Sequence, residues 1–324
     1  ATFLYQSGEE YRNIFPFWDW KKIPGTTTLQ DQEKLPVLTA SGYRINSDFV
    51  GGVVGVPIGK YPANSVAAMA YNRNGLKANK AWFIFDDMIV CLGSGISSET
   101  GLPVTTAINQ VFLNEYFPVE KSFDINNPGV SDWILHDKLG YFFPEGGNIQ
   151  LETKPVEGSW NWVANRYSKK IDKKDIFKLF FDHGKNLDNG NYQYILVPNA
   201  SQASMEDMEK RLPQKIVNET DRQEVVSNQG WSTAIVFYKA GKSEALGGIE
   251  VDKPCILMID EMMGATNVRV ADPTQKLNEI NLVLNDTEWT GRKVVKDGAK
   301  PTVKIEFSNS AKHVNTYQFS IKKQ

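Results

Sequence analysis

The sequence has few of the side chains on which standard metal and nucleophilic chemistry depends. Its 324 residues include two cysteines and three histidines. The histidines share no metal-ligand spacing with one another or with the cysteines, which argues against a structural zinc site. Cys91 and Cys255 both lie in apolar runs, where a small buried thiol is the usual state. A disulfide between them stays open at this point.

Several sequence motifs are also missing, and the chain has no strong excess of either charge. There is no P-loop, no Gly-x-Gly-x-x-Gly ahead of a helix and no Gly-x-Ser-x-Gly turn. No apolar run approaches the roughly 20 residues of a membrane span, so none is predicted. The 36 basic and 38 acidic side chains give a net charge of -2, which argues against broad nucleic-acid binding. The chain starts at Ala1 without a leader pattern, so we expect a processed product or an excised piece.

The sequence does contain the pattern of short strands and turns that is typical of an all-β protein. Short runs rich in aromatic and β-branched residues alternate with Asn-Gly, Asp-Gly and Pro-containing breaks. Three β-hairpins are predicted, over residues 81–92 with a turn at Asp86 and Asp87, over residues 133–144, and over residues 178–197. Hairpins in this number predict large antiparallel sheets.

One helix is predicted in the middle of the chain, over residues 204–212, with Pro213 as its stop. Short strands with alternating apolar and polar residues are predicted after it. In one of these strands near the end of the chain, Val303 and Ile305 face the same side. We therefore predict two domains, a large one over residues 1–213 and a smaller β-sandwich over residues 214–324.

The opening segment, residues 8–28, is the densest stretch of aromatic and polar groups in the chain. It holds five aromatic rings and two prolines and has no regular hydrophobic period, which predicts an ordered, bent loop. Two interpretations stay open. The segment either presents rings and hydrogen-bonding groups to sugars, or it closes one end of a β-sandwich with Phe15, Phe17, Trp18 and Trp20.

Two further groups of residues have a structural and a functional interpretation. His136 and His183 lie in strand-like apolar surroundings, where we predict structural histidines. A basic run between predicted strands either contacts an anionic polymer or forms a solvated loop, which is the more usual state of such runs. The run consists of Arg166, Lys169, Lys170, Lys173 and Lys174.

The opening segment resembles the sequence that opens the β-sheet half of polysaccharide lyase family 8. That family includes chondroitin AC and ABC lyases, hyaluronate lyases and xanthan lyases. The similarity rests on Glu10–Thr27 and continues in the same order along nearly the whole chain. Further matching segments are Asp48–Gly52, Lys80–Asp86, Ile89–Ile96, Thr105–Gln110, His136–Asp137, Gly140–Pro144, Asp182–Gly184, Tyr192–Pro198, Asp252–Cys255 and Ala271–Pro273.

The resemblance implies a fold and an activity. The fold is a large antiparallel β-sandwich, a supersandwich of the galactose-mutarotase type, followed by a smaller C-terminal β-sandwich. The activity is β-elimination on uronic-acid-containing glycosaminoglycans of the chondroitin sulfate or hyaluronan class, in a secreted or periplasmic protein. Family members carry the tyrosine, histidine, asparagine and arginine of the elimination site on an N-terminal α/α toroid, which this sequence lacks. We therefore expect the chain alone to be inactive, with the toroid and an anionic polysaccharide as its partners.

The resemblance also nominates site residues. A glutamate in the motif that matches Glu10–Asn13 orients the arginine and tyrosine across the cleft, so Glu10 is the catalytic candidate, as a positioning group. Asn13 and Arg12 follow as substrate-binding candidates, although chondroitin AC lyases have an aromatic residue at the position of Arg12. Spacing to Asn13 favours Glu10 over Glu9, and we expect Glu10 to be exposed and without a strong partner. Trp18, Asp19 and Trp20 are predicted to hold the loop rather than to contact sugar.

No metal site or cofactor is predicted. Some family members bind calcium in the β portion, but no Asp-x-Asp-x-Asp ligand set matches here, so calcium stays open. The alternative function is a non-catalytic sandwich that binds or scaffolds carbohydrate. A helical domain encoded upstream in the parent gene, with a tyrosine and a histidine, would favour the lyase.

Overall fold

In the computed structural model, strand residues far outnumber helical residues among those it describes. It describes residues 1–31, 50–54, 64–85, 87–122, 132–164, 166–262, 264–297, 300–307 and 316–324. The helical elements are short: 3₁₀ helices at Phe15–Phe17, Met208–Arg211 and Ala245–Gly247, and the α-helices α1 (Trp160–Val163) and α2 (Gln202–Glu206). The predicted all-β class, with a large β-sandwich followed by a smaller one, is confirmed.

The strands of the first part of the chain are β1 (Thr27–Leu29), β2 (Val50–Val54), β3 (Ser65–Arg73), β4 (Leu76–Phe85), β5 (Met88–Ser98), β6 (Val104–Phe112), β7 (Glu120–Lys121), β8 (Asp132–His136), β9 (Leu139–Phe143), β10 (Ile149–Gly158), β11 (Asp172–Gly184) and β12 (Gly190–Val197). Those of the second part are β13 (Lys215–Asn218), β14 (Arg222–Val226), β15 (Ser232–Phe237), β16 (Gly241–Ser243), β17 (Ile249–Val251), β18 (Cys255–Met262), β19 (Ala265–Ala271), β20 (Glu279–Leu284), β21 (Trp289–Thr290), β22 (Val294–Asp297), β23 (Lys300–Glu306) and β24 (Thr316–Lys323).

The first compact unit comprises Ala1–Ile45, Arg73–Leu76 and Ile96–Glu206. Its strands β1, β6, β11 and β10 form an antiparallel sheet in that order, and β12, β9, β8 and β7 are successive neighbours in a second sheet. The side chain of Phe177 on β11 stacks on His136 and Tyr141 of the second sheet, at ring-centroid distances of 4.4 and 5.7 Å. The two sheets therefore face each other across an aromatic core.

The second compact unit comprises Asn46–Asn72, Lys77–Gly95 and Asp207–Gln324. A seven-stranded sheet in the order β13, β14, β15, β18, β19, β24, β21 and a five-stranded sheet in the order β16, β17, β20, β23, β22 enclose its core. As the alternation predicts, Val303 and Ile305 are fully buried there. Both units are assembled from separated segments, and the boundary between residues 213 and 214 stays a prediction.

Of the three predicted hairpins, two are present and one is wrong. The first consists of β4 and β5; Asp86 of its turn lies outside the described residues. In the second, β8 pairs with β9 around Asp137 and Lys138, which both have positive φ, as a two-residue turn requires. In the third, β11 pairs with β6 and β10, whereas β12 pairs with β9 in the other sheet. A turn sequence does not reveal whether the chain returns to the same sheet or crosses to the facing one.

The predicted helix over residues 204–212 is also corrected. It is divided into α2 and the 3₁₀ helix Met208–Arg211, with Asp207 between them at φ -93° and ψ 6°. Met205 and Met208 are both buried. The backbone N–H of Lys210 donates to the Asp207 carbonyl at 3.2 Å, the three-residue pattern that closes a 3₁₀ turn.

Candidate functional site

The carboxylate of Glu10 organises the turn that precedes it. Its Oε1 accepts hydrogen bonds from the backbone N–H of Gln6 at 2.9 Å and of Ser7 at 2.6 Å, and from the Ser7 hydroxyl at 3.0 Å. Its Oε2 accepts one from the backbone N–H of Gly8 at 3.0 Å. Burial by itself raises the pKa of Glu10, but these hydrogen bonds outweigh it and lower the pKa to about 2.

The expectation of an exposed Glu10 without a strong partner is therefore wrong. The residue is half-buried, and its charge is stabilised by donors from the same turn. Sequence reasoning missed this because the donors are backbone groups, which every sequence provides and no residue type announces. The positioning role of Glu10 stays a prediction.

The neighbours of Glu10 have a different environment. Glu9 and Arg12 are exposed and form an ion pair, with Arg12 Nη1 donating to Glu9 Oε2 at 2.8 Å. Asn13 is exposed and has a left-handed backbone with φ 60°, a conformation that asparagine tolerates better than most residues. The groove described below is lined by Glu9, Glu10, Arg12 and Asn13, and the preference for Glu10 over Glu9 stays a prediction.

Buried polar side chains attach this turn to the sheets. Tyr11 donates its hydroxyl hydrogen to Asn109 Oδ1 on β6 at 3.2 Å, and Asn109 Nδ2 donates to the Tyr141 hydroxyl on β9 at 2.6 Å. Gln6 accepts from the backbone N–H of Asn199 at 2.7 Å and donates to the Asp137 carbonyl at 3.4 Å. The turn is thus attached to strands β6 and β9 through Tyr11, and to the β8–β9 turn and the chain after β12 through Gln6.

The rest of the opening segment is attached to the same strand. The indole N–H of Trp18 donates to the Gln110 carbonyl at 3.3 Å. The buried Gln110 side chain accepts from Asp19 N at 2.8 Å and donates to the carbonyls of Asp19 and Lys22 at 3.1 and 3.0 Å. Asp19 also forms an ion pair with Lys178 of β11 at 3.4 Å. Trp18 and Asp19 therefore hold the segment in place, as predicted.

The groove lies in the first unit and has a volume of about 1150 Å³. It is bordered by the Glu10 turn, the chain after β6, the β8–β9 turn and the start of β11. Its charged side chains are predominantly acidic: Glu9, Glu10, Glu115, Asp137, Asp172 and Asp175 against Arg12, Lys138 and Lys174. Its other polar and aromatic side chains include Asn13, Asn109, Asn114, Tyr116, Phe117, His136 and Trp160.

His136 lies at the edge of this groove but does not have the environment of a catalytic base. Its Nε2 accepts the backbone N–H of Asn114 at 3.2 Å, and its ring stacks on Phe177. Burial lowers the pKa of His136 to about 4, so the ring is neutral at physiological pH. His183 is likewise bound to Thr106, with Nε2 and Oγ1 2.8 Å apart. Both fit the structural histidines predicted from sequence.

Among the described residues, no three His, Cys, Asp or Glu side chains are arranged to hold a metal ion. Cys91 and Cys255 are both buried free thiols, so no disulfide joins them. No helix in the described part of the chain has the length and apolar character to cross a membrane. Sequence reasoning missed Gln6, Asn109 and Trp160 as groove residues.

Two family models match the chain in succession. The first, described as the super-sandwich domain of polysaccharide lyase family 8, matches residues 1–209. The second, the C-terminal β-sandwich domain of the same family, matches residues 215–281. Together they cover most of the chain.

Individual relatives agree with the family models. The chain is 36% identical over 319 residues to chondroitinase-AC of Pedobacter heparinus, covering 95% of this chain and 43% of that protein. A xanthan lyase of a Bacillus species is 28% identical, with 63% of this chain and 23% of the relative covered. A solved chondroitinase AC lyase superposes with a TM-score of 0.83 at 34% identity, with 96% of this chain and 45% of that one covered. The chain thus spans less than half the length of these relatives.

Proposed function

The chain belongs to polysaccharide lyase family 8, and from this we propose that it is the β portion of an enzyme that cleaves uronic-acid-containing glycosaminoglycans by β-elimination. The substrate class is chondroitin sulfate or hyaluronan, as the names of several relatives suggest. The observation that carries the proposal is the single groove that Glu10, Arg12 and Asn13 line together. We propose that an α/α toroid of the same secreted or periplasmic parent protein forms the other side of the cleft.

The proposed reaction removes the proton from C5 of the uronic acid and breaks the bond from C4 to the glycosidic oxygen. The electron pair of the C5–H bond forms the C4–C5 double bond, and the leaving oxygen takes up a proton. Charge that develops on the sugar carboxylate must be neutralised, while one group acts first as base and then as acid. The acidic groove offers few cations for this purpose. We therefore assign the neutralising groups and the tyrosine to the toroid.

Within this mechanism, Glu10 is a positioning residue. Its low pKa keeps the carboxylate ionised at every physiological pH, and the surrounding N–H groups fix its orientation. Oε2 accepts one hydrogen bond and retains capacity for another. A carboxylate held in this way is suited to orient an arginine, because a charge-assisted pair fixes geometry as well as charge.

One observation favours the alternative, a non-catalytic carbohydrate-binding or scaffolding module. The four hydrogen bonds that Glu10 accepts all come from residues 6–8, which is the pattern of a side chain that stabilises its own turn. The two functions differ in what the loss of the charge does to the parent enzyme.

The test is Glu10→Gln in the toroid-containing parent, with Glu9→Gln as the matched control. We expect Glu10→Gln to lower turnover at least about a hundredfold, with a smaller effect on KM, because the positioned charge acts in the transition state. Glu9→Gln removes one exposed ion pair and is expected to change turnover less than about twofold. The 324-residue chain alone should produce no absorbance from unsaturated uronate.

Near-normal turnover of Glu10→Gln would contradict the positioning role, and a lower melting temperature of the same variant would then leave Glu10 with a structural role only. Turnover by the isolated chain at a lyase-like rate would place the elimination chemistry within the chain and contradict the proposed division of labour.

A further inference from the structure

The hairpin of β10 and β11 ends in an ordered tip that projects the basic run predicted from sequence. We call residues 159–164 and 166–174 the basic tip. Ser159 caps α1, with Asn161 N donating to its hydroxyl at 3.3 Å. Ser159 Oγ donates to the Ser168 carbonyl at 3.3 Å, and Asn161 Nδ2 donates to the Tyr167 carbonyl at 3.2 Å. These hydrogen bonds tie the two sides of the tip together.

The basic tip exposes several large apolar side chains. Trp162 is 61% exposed, Ile171 56% and Tyr167 43%. The guanidinium of Arg166 lies 5.1 Å from the centre of the Tyr167 ring, and Arg166 Nη2 donates to the Tyr167 hydroxyl at 3.2 Å. Clustered apolar exposure of this kind marks a binding surface more often than it occurs by chance.

The charge of the basic tip is opposite to that of the groove. It contains five bases, the four lysines and Arg166, and one acid, Asp172, which gives +4 in a chain whose net charge is -2. Lys170 pairs with Asp172 at 2.7 Å. Lys169, Lys173 and Lys174 form no ion pair with any carboxylate in the described part of the chain. Their charge is available to an anionic partner.

The basic tip is continuous with the groove. Trp160 and Lys174 belong to the tip and also line the groove. The Trp160 ring lies 5.6 Å from that of Tyr167 and 6.5 Å from that of Phe15 in the opening segment. A polymer that leaves the groove at Trp160 would therefore meet Tyr167 and the basic side chains next.

We propose that the basic tip is an outer subsite for the anionic polysaccharide. Sugar rings stack on Trp162 and Tyr167, and the lysines and Arg166 bind uronate or sulfate groups. This inference rests on the proposed function and extends it, since it assigns the binding charge of the chain to the basic tip that adjoins the acidic groove. The partner is an extended anionic polymer because aromatic faces and unpaired bases occur side by side, whereas a protein interface would bury the rings without needing free lysines.

The test measures binding to the 324-residue chain by calorimetry, with chondroitin sulfate oligosaccharides as probe and neutral dextran oligosaccharides as control. We expect Trp162→Ala to raise the Kd for chondroitin sulfate about fivefold through lost stacking. The double variant Lys169→Glu/Lys173→Glu should raise it about tenfold or more and reduce its dependence on salt. All sites are exposed, so circular dichroism spectra and melting temperatures should not change.

Matched controls come from the second unit. Trp231→Ala removes a tryptophan that is 65% exposed, and Lys322→Glu reverses an exposed charge. Both should bind as the unaltered chain does. Equal binding of dextran and chondroitin sulfate, undetectable binding by the unaltered chain, or unchanged binding by the tip variants would each overturn the proposal. So would a lower melting temperature of the parent enzyme on Trp162→Ala with unchanged binding, which would make the tip a protein contact. None of these results bears on the turnover of Glu10→Gln, which tests the proposed function separately.

Discussion

At the scale of single residues, Glu10 shows how a backbone turn sets the chemistry of a side chain. Three successive N–H groups, from Gln6 to Gly8, converge on its carboxylate, and carboxylates that accept several backbone hydrogen bonds have unusually low pKa values. The same groups that fix the charge also fix its position. A functional and a structural role are therefore compatible at this residue, and only measurement on the charge itself separates them.

The low pKa predicts a pH-dependent contribution of Glu10 to stability. Because the pKa in the folded protein, about 2, lies below the ordinary value of 4.5, ionised Glu10 stabilises the fold above about pH 4.5. That contribution is lost as the pH falls from 4.5 toward 2. We expect the difference in free energy of unfolding between the unaltered chain and Glu10→Gln to be constant near neutral pH and to shrink below about pH 4.

Denaturant unfolding at several pH values measures this difference, and carboxyl-carbon NMR of Glu10 gives its titration midpoint directly. A midpoint near 4.5 would show that the turn does not bind the carboxylate in solution.

At the scale of elements, strand β6 is the anchor of the candidate site. Its consecutive residues Asn109 and Gln110 point to opposite sides of the strand, so one reaches Tyr11 and Tyr141 while the other reaches Asp19 and Lys22. Both side chains are buried, which makes each hydrogen bond costly to lose. One strand thus positions both halves of the opening segment.

This arrangement predicts a large effect of Gln110→Ala. The substitution removes three hydrogen bonds to Asp19 and Lys22, at about 1 kcal/mol each, so we expect the free energy of unfolding to fall by about 3 kcal/mol. Chemical denaturation gives the free energy, and limited proteolysis should show faster cleavage within the opening segment. Gln150→Ala, on exposed Gln150 of β10, is the control and should be nearly neutral. Equal stability of both variants would show that β6 does not hold the segment.

At the scale of the whole molecule, the proposed boundary after residue 213 has a physical basis. The core of the second unit consists of side chains between Ile235 and Ile321, and both sheets around it are formed by strands after that boundary. The same unit includes contacts to earlier strands. Ser94 on β5 donates to the Glu219 carbonyl at 2.9 Å, and Asn218 donates to the Gly93 carbonyl at 3.1 Å.

We therefore expect residues 214–324, expressed alone, to fold with cooperative thermal unfolding, because the core is self-contained. Loss of the contacts to Gly93 and Ser94 should lower the melting temperature by roughly 10 °C relative to the whole chain. Calorimetry on the fragment and on the 324-residue chain makes the comparison. A fragment without a cooperative transition would show that residues 46–95 are an integral part of the second domain, and the boundary at 213 would have to be abandoned.

The sequence by itself determined the all-β class, most of the strands and the family. Alternation such as that of Val303 and Ile305 encodes which face is buried, because a strand has a period of two. The matching segments, from Glu10–Thr27 onward, carry the family signal.

Only the tertiary structure decided which strands pair and what surrounds each charge. Strand β12 pairs with β9 rather than with β11. The sheet that a strand joins depends on tertiary packing, which the local turn residues do not encode. The carboxylate of Glu10 is bound by backbone groups, which have no sequence signature. The groove combines segments more than 150 residues apart, from Glu10 to Lys174, so its acidic character and its position next to the basic tip depend on folding.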